Sequence, residues 1–124
     1  MIGNHLVYTV HVPGTLAANL NVRFALPFPA TLRHVSAVGS NANDATIAVG
    51  TSTDEDGWLK AAAIGDSNAP AEFDRADFDG ALVGDPGYEF PSGQDGDVVV
   101  VTVDYDGASG TAAQNVTVAL TFAE

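Results

Sequence analysis

Cysteine is absent from this chain of 124 residues, which excludes a disulfide framework and any thiolate metal site. Bases are almost as scarce. Arg23, Arg33, Lys60 and Arg75 are scattered, and against sixteen acids they leave a formal net charge of −12. Phosphate contacts dominate nucleic-acid affinity, so a chain of this charge is not expected to bind DNA or RNA, and anionic membranes would repel it. No apolar run approaches the ~20 residues that a membrane span needs. The opening Met1–Leu6 lacks the basic and apolar regions of a signal peptide, so none is expected. Motifs for chemistry are missing as well. The sequence has no Gly-x-Ser-x-Gly, no Gly-x-x-x-x-Gly-Lys phosphate loop and no His beside a plausible Ser–Asp pair. An enzyme is not expected.

What the chain does have is a hydrophobic share of 46%, enough at this length for one domain spanning residues 1–124 with a sizeable core. The excess of Asp suits a solvated exterior that avoids non-specific contacts, a saline habitat, or a partner that presents a basic patch.

The strongest local signals are at the end of the chain. Asp97–Tyr105 and Asn115–Phe122 are β-branched, apolar-rich runs that read as two long strands. Their connection, Asp106 to Ala113, exceeds a tight hairpin turn. Near the start, Leu6 to Val12 alternates: Leu6, Tyr8, Val10 and Val12 share one face, and His5, Val7, Thr9 and His11 the other. Pro13-Gly14 is expected to stop this strand. Further strands are expected over Asn21–Leu26, closed by Pro27-Phe28-Pro29, over Thr31–Gly39 and over Ala45–Gly50. In Thr31–Gly39 plain alternation puts Leu32, His34, Ser36 and Val38 on one face.

Thr51 to Asp66 differs in kind. A weak capping pair, Thr53 and Asp56, precedes Trp58-Leu-Lys-Ala-Ala-Ala-Ile64, and Gly65 is placed to end a helix. One short helix over about 55–64 is therefore expected, anchored by Trp58. Asn68 to Gly96 is rich in Pro, Gly and Asp and should hold one or two short edge strands between long loops. The sum is an all-β chain: a single antiparallel β-sandwich, jelly-roll-like, with one short helix.

Three Asp-x-Asp-Gly quartets, Asp54–Gly57, Asp77–Gly80 and Asp104–Gly107, invite a calcium reading. None has the flanking ligands of an EF-hand, because position twelve would be Ala63, Pro86 or Ala113 rather than Glu. Calcium in an irregular loop stays open, with Asp74, Asp77 and Asp79 as the densest candidate, joined by Asp95 and Asp97 if the loops meet. No other cofactor is expected. His5 and His11 share a strand face but stand roughly 20 Å apart by strand rise, too far to ligate one metal. His34 could meet a sheet neighbour. Glu72 and Glu89 mark out no acid–base pair of the kind a glycosidase needs. Trp58, Tyr88, Phe90 and Tyr105 could form a sugar-stacking platform, against which stands the ordinary reading of such rings as core.

Several stretches carry a resemblance. Val12-Pro-Gly-Thr-Leu16, Leu26-Pro-Phe-Pro-Ala-Thr-Leu-Arg-His-Val-Ser-Ala-Val-Gly39, Asn41-Ala-Asn-Asp-Ala-Thr-Ile-Ala-Val-Gly-Thr51 and the tail from Asp104 resemble small β-sandwich virion structural proteins of tailed bacteriophages. The resemblance implies a capsid decoration (cement) protein that binds and braces the outer head surface. Such proteins act in many copies, often as trimers, so the implied partners are the major capsid protein of the same virus and further copies of the chain. The implied location is the virion, after assembly in the host cytoplasm. The resemblance supplies no binding residues. Contact is expected at the N-terminal Met1, Ile2, Gly3, Asn4 and His5 and at the loops from Asn68 to Gly96, where backbone is not committed to long strands. The alternative expectation is a carbohydrate-binding or receptor-binding module of a tail-associated protein.

Overall fold

The computed structural model describes residues 4–78, 90–105 and 109–124. The described residues form nine β-strands and no helix. They are β1 (His5–Thr15), β2 (Leu20–Ala25), β3 (Ala30–Val38), β4 (Thr46–Thr51), β5 (Asp54–Ala63), β6 (Ala71–Phe73), β7 (Ser92–Gly93), β8 (Val98–Asp104) and β9 (Gln114–Ala123). One sheet runs β1-β9-β3-β6, with β7 also pairing β3; the other runs β2-β8-β4-β5. Every strand pairing is antiparallel.

The two sheets close on one hydrophobic cluster. Leu32, Val35 and Ala37 of β3 and Val116, Val118, Leu120 and Phe122 of β9 come from one side. Ile47 and Val49 of β4, Trp58 and Leu59 of β5, and Val99, Val101 and Val103 of β8 come from the other. On β4, β8 and β9 period-2 alternation puts these side chains on one face of each strand, so the expected β-sandwich follows from the pattern of β8 and β9. Aromatic rings tie the layers together. Phe122 meets Phe24 edge-on at 5.9 Å and Trp58 at 6.4 Å, and Tyr8 stacks on Phe24 at 4.0 Å.

Three expectations need correction. The helix over 55–64 is absent: Asp54–Ala63 is strand β5, paired with β4 along Thr46↔Ala63, Ile47↔Ala62 and Val49↔Leu59. A single helix of that length is marginal even with three alanines, whereas the open side of β4 offers backbone partners and a place for Trp58 and Leu59 in the core. Irregularities on both sides of Val49 let these two consecutive residues both turn inward.

The second correction concerns β3. A register shift between Leu32 and His34 reverses the alternation, so Val35 and Ala37 are buried with Leu32, and His34, Ser36 and Val38 face outward. One inserted residue moves the rest of a strand to the other face. Third, β1 does not stop at Pro13-Gly14. It passes through a bulge, with Gly14 at φ 80°, and regains pairing at Thr15↔Gln114. The Asn115 side-chain oxygen accepts the Gly14 N–H at 2.8 Å and holds the bulge in place.

Candidate functional site

The described residues hold no group of three or more His, Asp or Glu side chains arranged to bind a metal ion. Asp74 and Asp77 stand together in the turn after β6, where their carboxylates hold backbone. Asp74 Oδ1 accepts the Ala76 N–H at 3.0 Å, and Asp77 Oδ2 accepts the Asp74 N–H at 3.0 Å. Asp97 does the same in the turn before β8, accepting the Gln94 N–H at 2.8 Å. Asp95 is exposed in that turn. The turn after β6 follows Phe73, which pairs with Val35 in the middle of β3, and the turn before β8 follows Gly93, which pairs with Ala30 at its start. Five residues of strand separate those points by roughly 17 Å. Asp79 lies outside the described residues.

Of the expected contact residues, Met1, Ile2 and Gly3 lie outside the described residues. Asn4 and His5 are exposed, and Asn4 is clamped to the other end of the chain. Its carbonyl accepts the Glu124 N–H at 2.8 Å, and its side-chain amide donates to Glu124 Oε1 at 3.3 Å. His5 opens β1 opposite Ala123. Among the rings proposed for sugar stacking, Trp58 is 8% exposed and belongs to the core. Tyr105 and Phe90 are half-buried against the core. Tyr88 and Glu89 lie outside the described residues.

Two surface features were not visible in the sequence. The first is a groove of about 440 Å³ lined by Arg33, Asp74, Arg75, Ala76 and Phe90. The Arg33 guanidinium lies 4.5 Å from the centre of the Phe90 ring, and its Nε donates to Thr31 Oγ1 at 2.8 Å. Arg33 and Phe90 are far apart in the chain, and no local pattern links them. Arg33 also sits at the β3 bulge, which strict alternation misses.

The second feature is the outer face of the β1-β9-β3 sheet. Cross-strand rows read His5–Ala123–Thr31, Val7–Thr121–His34, Thr9–Ala119–Ser36 and His11–Thr117–Val38. All three histidines of the chain therefore share one face. His11 Nδ1 hydrogen-bonds Thr117 Oγ1 at 2.8 Å, and His34 Nε2 lies 3.2 Å from Glu72 Oε1 on β6. The strands β1, β9 and β3 contribute no carboxylate to these rows. Alternation alone placed His5 and His11 on one face of β1, but His34 joins them only because of the bulge.

The opposite outer face, on β2-β8-β4-β5, is polar and charged. Asn21 donates to Thr102 Oγ1 at 3.2 Å, Arg23 Nε donates to Asn21 Oδ1 at 3.1 Å, and Arg23 Nη2 lies 3.3 Å from Glu55 Oε2. Asp54, Asp56, Lys60 and Asp104 extend this charged surface along β5 and β8.

Comparison with solved structures gives one fold neighbour to set beside this geometry. The chain is similar to a chain of the structure titled "Cyanophage Pam1 capsid asymmetric unit", with a TM-score of 0.51 and 18% identity over 98% of this chain and 85% of that chain. No family model and no curated protein matches the chain. At that identity the likeness is one of fold.

Proposed function

We propose that this protein is a non-enzymatic virion structural component, and most specifically a capsid decoration protein that binds the outer head surface of a tailed phage. The observation that carries the reading is the fold likeness to a chain from a cyanophage capsid assembly, which spans 98% of this chain. Strand order supports it. If β6 and β7 count as one interrupted strand beside β3, the orders β1-β9-β3-β6 and β2-β8-β4-β5 are those of an eight-stranded jelly roll. That architecture recurs in viral capsid domains.

The surface chemistry suits such a role. A strongly acidic exterior is repelled by packaged nucleic acid and can add to a finished shell without binding the genome beneath. In this reading the partner is the major capsid protein of the same virus, and the chain acts in many copies. The carbohydrate-binding alternative loses its largest ring, because Trp58 packs edge-on against Phe122 inside the sandwich.

Co-sedimentation with decoration-stripped mature heads tests the proposal. Saturable binding at a simple ratio to the major capsid protein is the expected result. Absence of binding to heads, with the chain found on tails or missing from purified virions, would overturn it.

A further inference from the structure

Four strand edges bound the two sheets among the described residues: β1 and the β6/β7 side in one, β2 and β5 in the other. Exposed edges present unpaired N–H and C=O groups, and proteins guard them with charge, brevity, proline or bulges. Three of the four are guarded. β2 carries Arg23, β5 carries Asp54, Glu55, Asp56 and Lys60, and β6 and β7 are three and two residues long. β1 is the exception. It runs for eleven residues, carries no Asp, Glu, Lys or Arg, and reaches its Pro13-Gly14 bulge only after Val12. It also bears Val7, the exposed large hydrophobic of the described residues, with 61% of its surface open.

We propose that β1 is a self-pairing edge, through which two copies of this chain join antiparallel along Leu6–Val12 about a two-fold axis. The occupant follows from charge and symmetry. A second copy brings another net charge of −12, so close approach is opposed wherever carboxylates face each other. Along β1 and its neighbour β9 the outward rows are His5, Val7, Thr9 and His11 beside Ala123, Thr121, Ala119 and Thr117, with no acid among them. An antiparallel strand is its own complement across a two-fold axis, which gives a closed, isologous contact. Centring the pair on Thr9 sets Val7 of each copy against His11 of the other. It also keeps both cores on the same side of a continuous sheet, because facing residues then share parity.

The test is sedimentation equilibrium of the full chain together with two variants. The wild-type protein is expected to sediment at twice its 12.7 kDa chain mass. Val7→Lys replaces the exposed apolar side chain with an ammonium set against His11 of the other copy, and is expected to weaken the dimer by at least about tenfold. Asn21→Lys, the same charge type on the guarded β2 edge, is expected to leave it unchanged. Because the chain lacks cysteine, Thr9→Cys reports register independently: mild oxidation should link two chains, whereas Asn21→Cys should not link. A monomer at every concentration, an assembly of odd order, a dimer indifferent to Val7→Lys, or a Thr9→Cys protein that stays unlinked would each overturn the proposal. None of these outcomes bears on head attachment, which the co-sedimentation experiment reads separately.

Discussion

The outer faces of the two sheets are built on the same alternating pattern, yet they offer water different chemistry. On β1-β9-β3 the cross-strand rows are mostly small and neutral, Thr9, Thr117, Ala119, Thr121, Ser36, with the three histidines among them, and the charged Arg33 stands at the β3 bulge. On β2-β8-β4-β5 the outward residues form a chain of hydrogen bonds from Thr102 through Asn21 and Arg23 to Glu55, flanked by further charge. The second face also carries buried apolar surface. Val100 points outward from the middle of β8 and is fully covered, between Arg23 on β2 and Gly50 on β4. It is covered because the start of β5 folds back so closely that a Cβ on Gly50 would meet the backbone of Asp54 and Glu55. One face is closed by its own chain and the other is left open. A uniform solvated coat would make no such distinction, so the asymmetry is where contact specificity is expected to reside.

Substitutions can break this comparison or sharpen it. The largest effect is expected from the core that both faces share. Phe122→Ala removes the ring that both Phe24 and Trp58 meet edge-on, and should lower unfolding free energy by about 3–5 kcal/mol in urea titration. A loss that large would leave neither sheet secure, so it sets the scale for the face-specific changes. Next comes the closed face. Gly50→Ala forces a methyl group into the backbone of Asp54 and Glu55 and should cost about 1–3 kcal/mol. The matched change on the open face, Ala119→Val in the middle of β9, adds larger side-chain bulk at a half-exposed site. It should shift stability by less than about 0.5 kcal/mol. Equal costs at the two positions would abolish the distinction between the faces. Val100→Ala should then cost about 2 kcal/mol, as a buried methyl pair would, although the residue lies on an outward face.

How much of this was legible in the sequence depends on how far each signal reaches. β8 and β9 were legible to within a residue or two, because a Val-rich alternating run has one stable placement when one face must be buried. The sequence of β5 misled for a physical reason. Trp58-Leu-Lys-Ala-Ala-Ala suits a helix in isolation, and only the unpaired side of β4, assembled from elsewhere in the chain, makes it a strand. The phase of β3 was hidden in the same way: the bulge after Leu32 is fixed by pairing with β9, and nothing local at Arg33 announces it. The surfaces depended on both errors. With β3 out of phase, His34 fell on the wrong face, and the gathering of all three histidines could not be seen. The guarded and unguarded edges could not be compared until β5 was known to be an edge strand. Asp74, Asp77 and Asp97 were conspicuous in the sequence, but what showed was the turn chemistry of Asp beside backbone N–H groups.

The smallest expected effect separates the two faces by mechanism. The Arg23–Glu55 pair is about half exposed at both ends, at 47% and 50%. A pair so open to solvent gains little Coulomb energy and loses side-chain entropy, so an Arg23→Ala, Glu55→Ala double-mutant cycle should give a coupling of about 0–1 kcal/mol. Salt should erase most of that, because the pair is accessible to counterions. The ion pair then serves as a polar cap over Val100, and the stability of the closed face comes from the covered valine and the close approach at Gly50. A coupling well above 1 kcal/mol, persisting at high salt, would reverse that assignment and make the ion pair the principal clasp of β2 to β5.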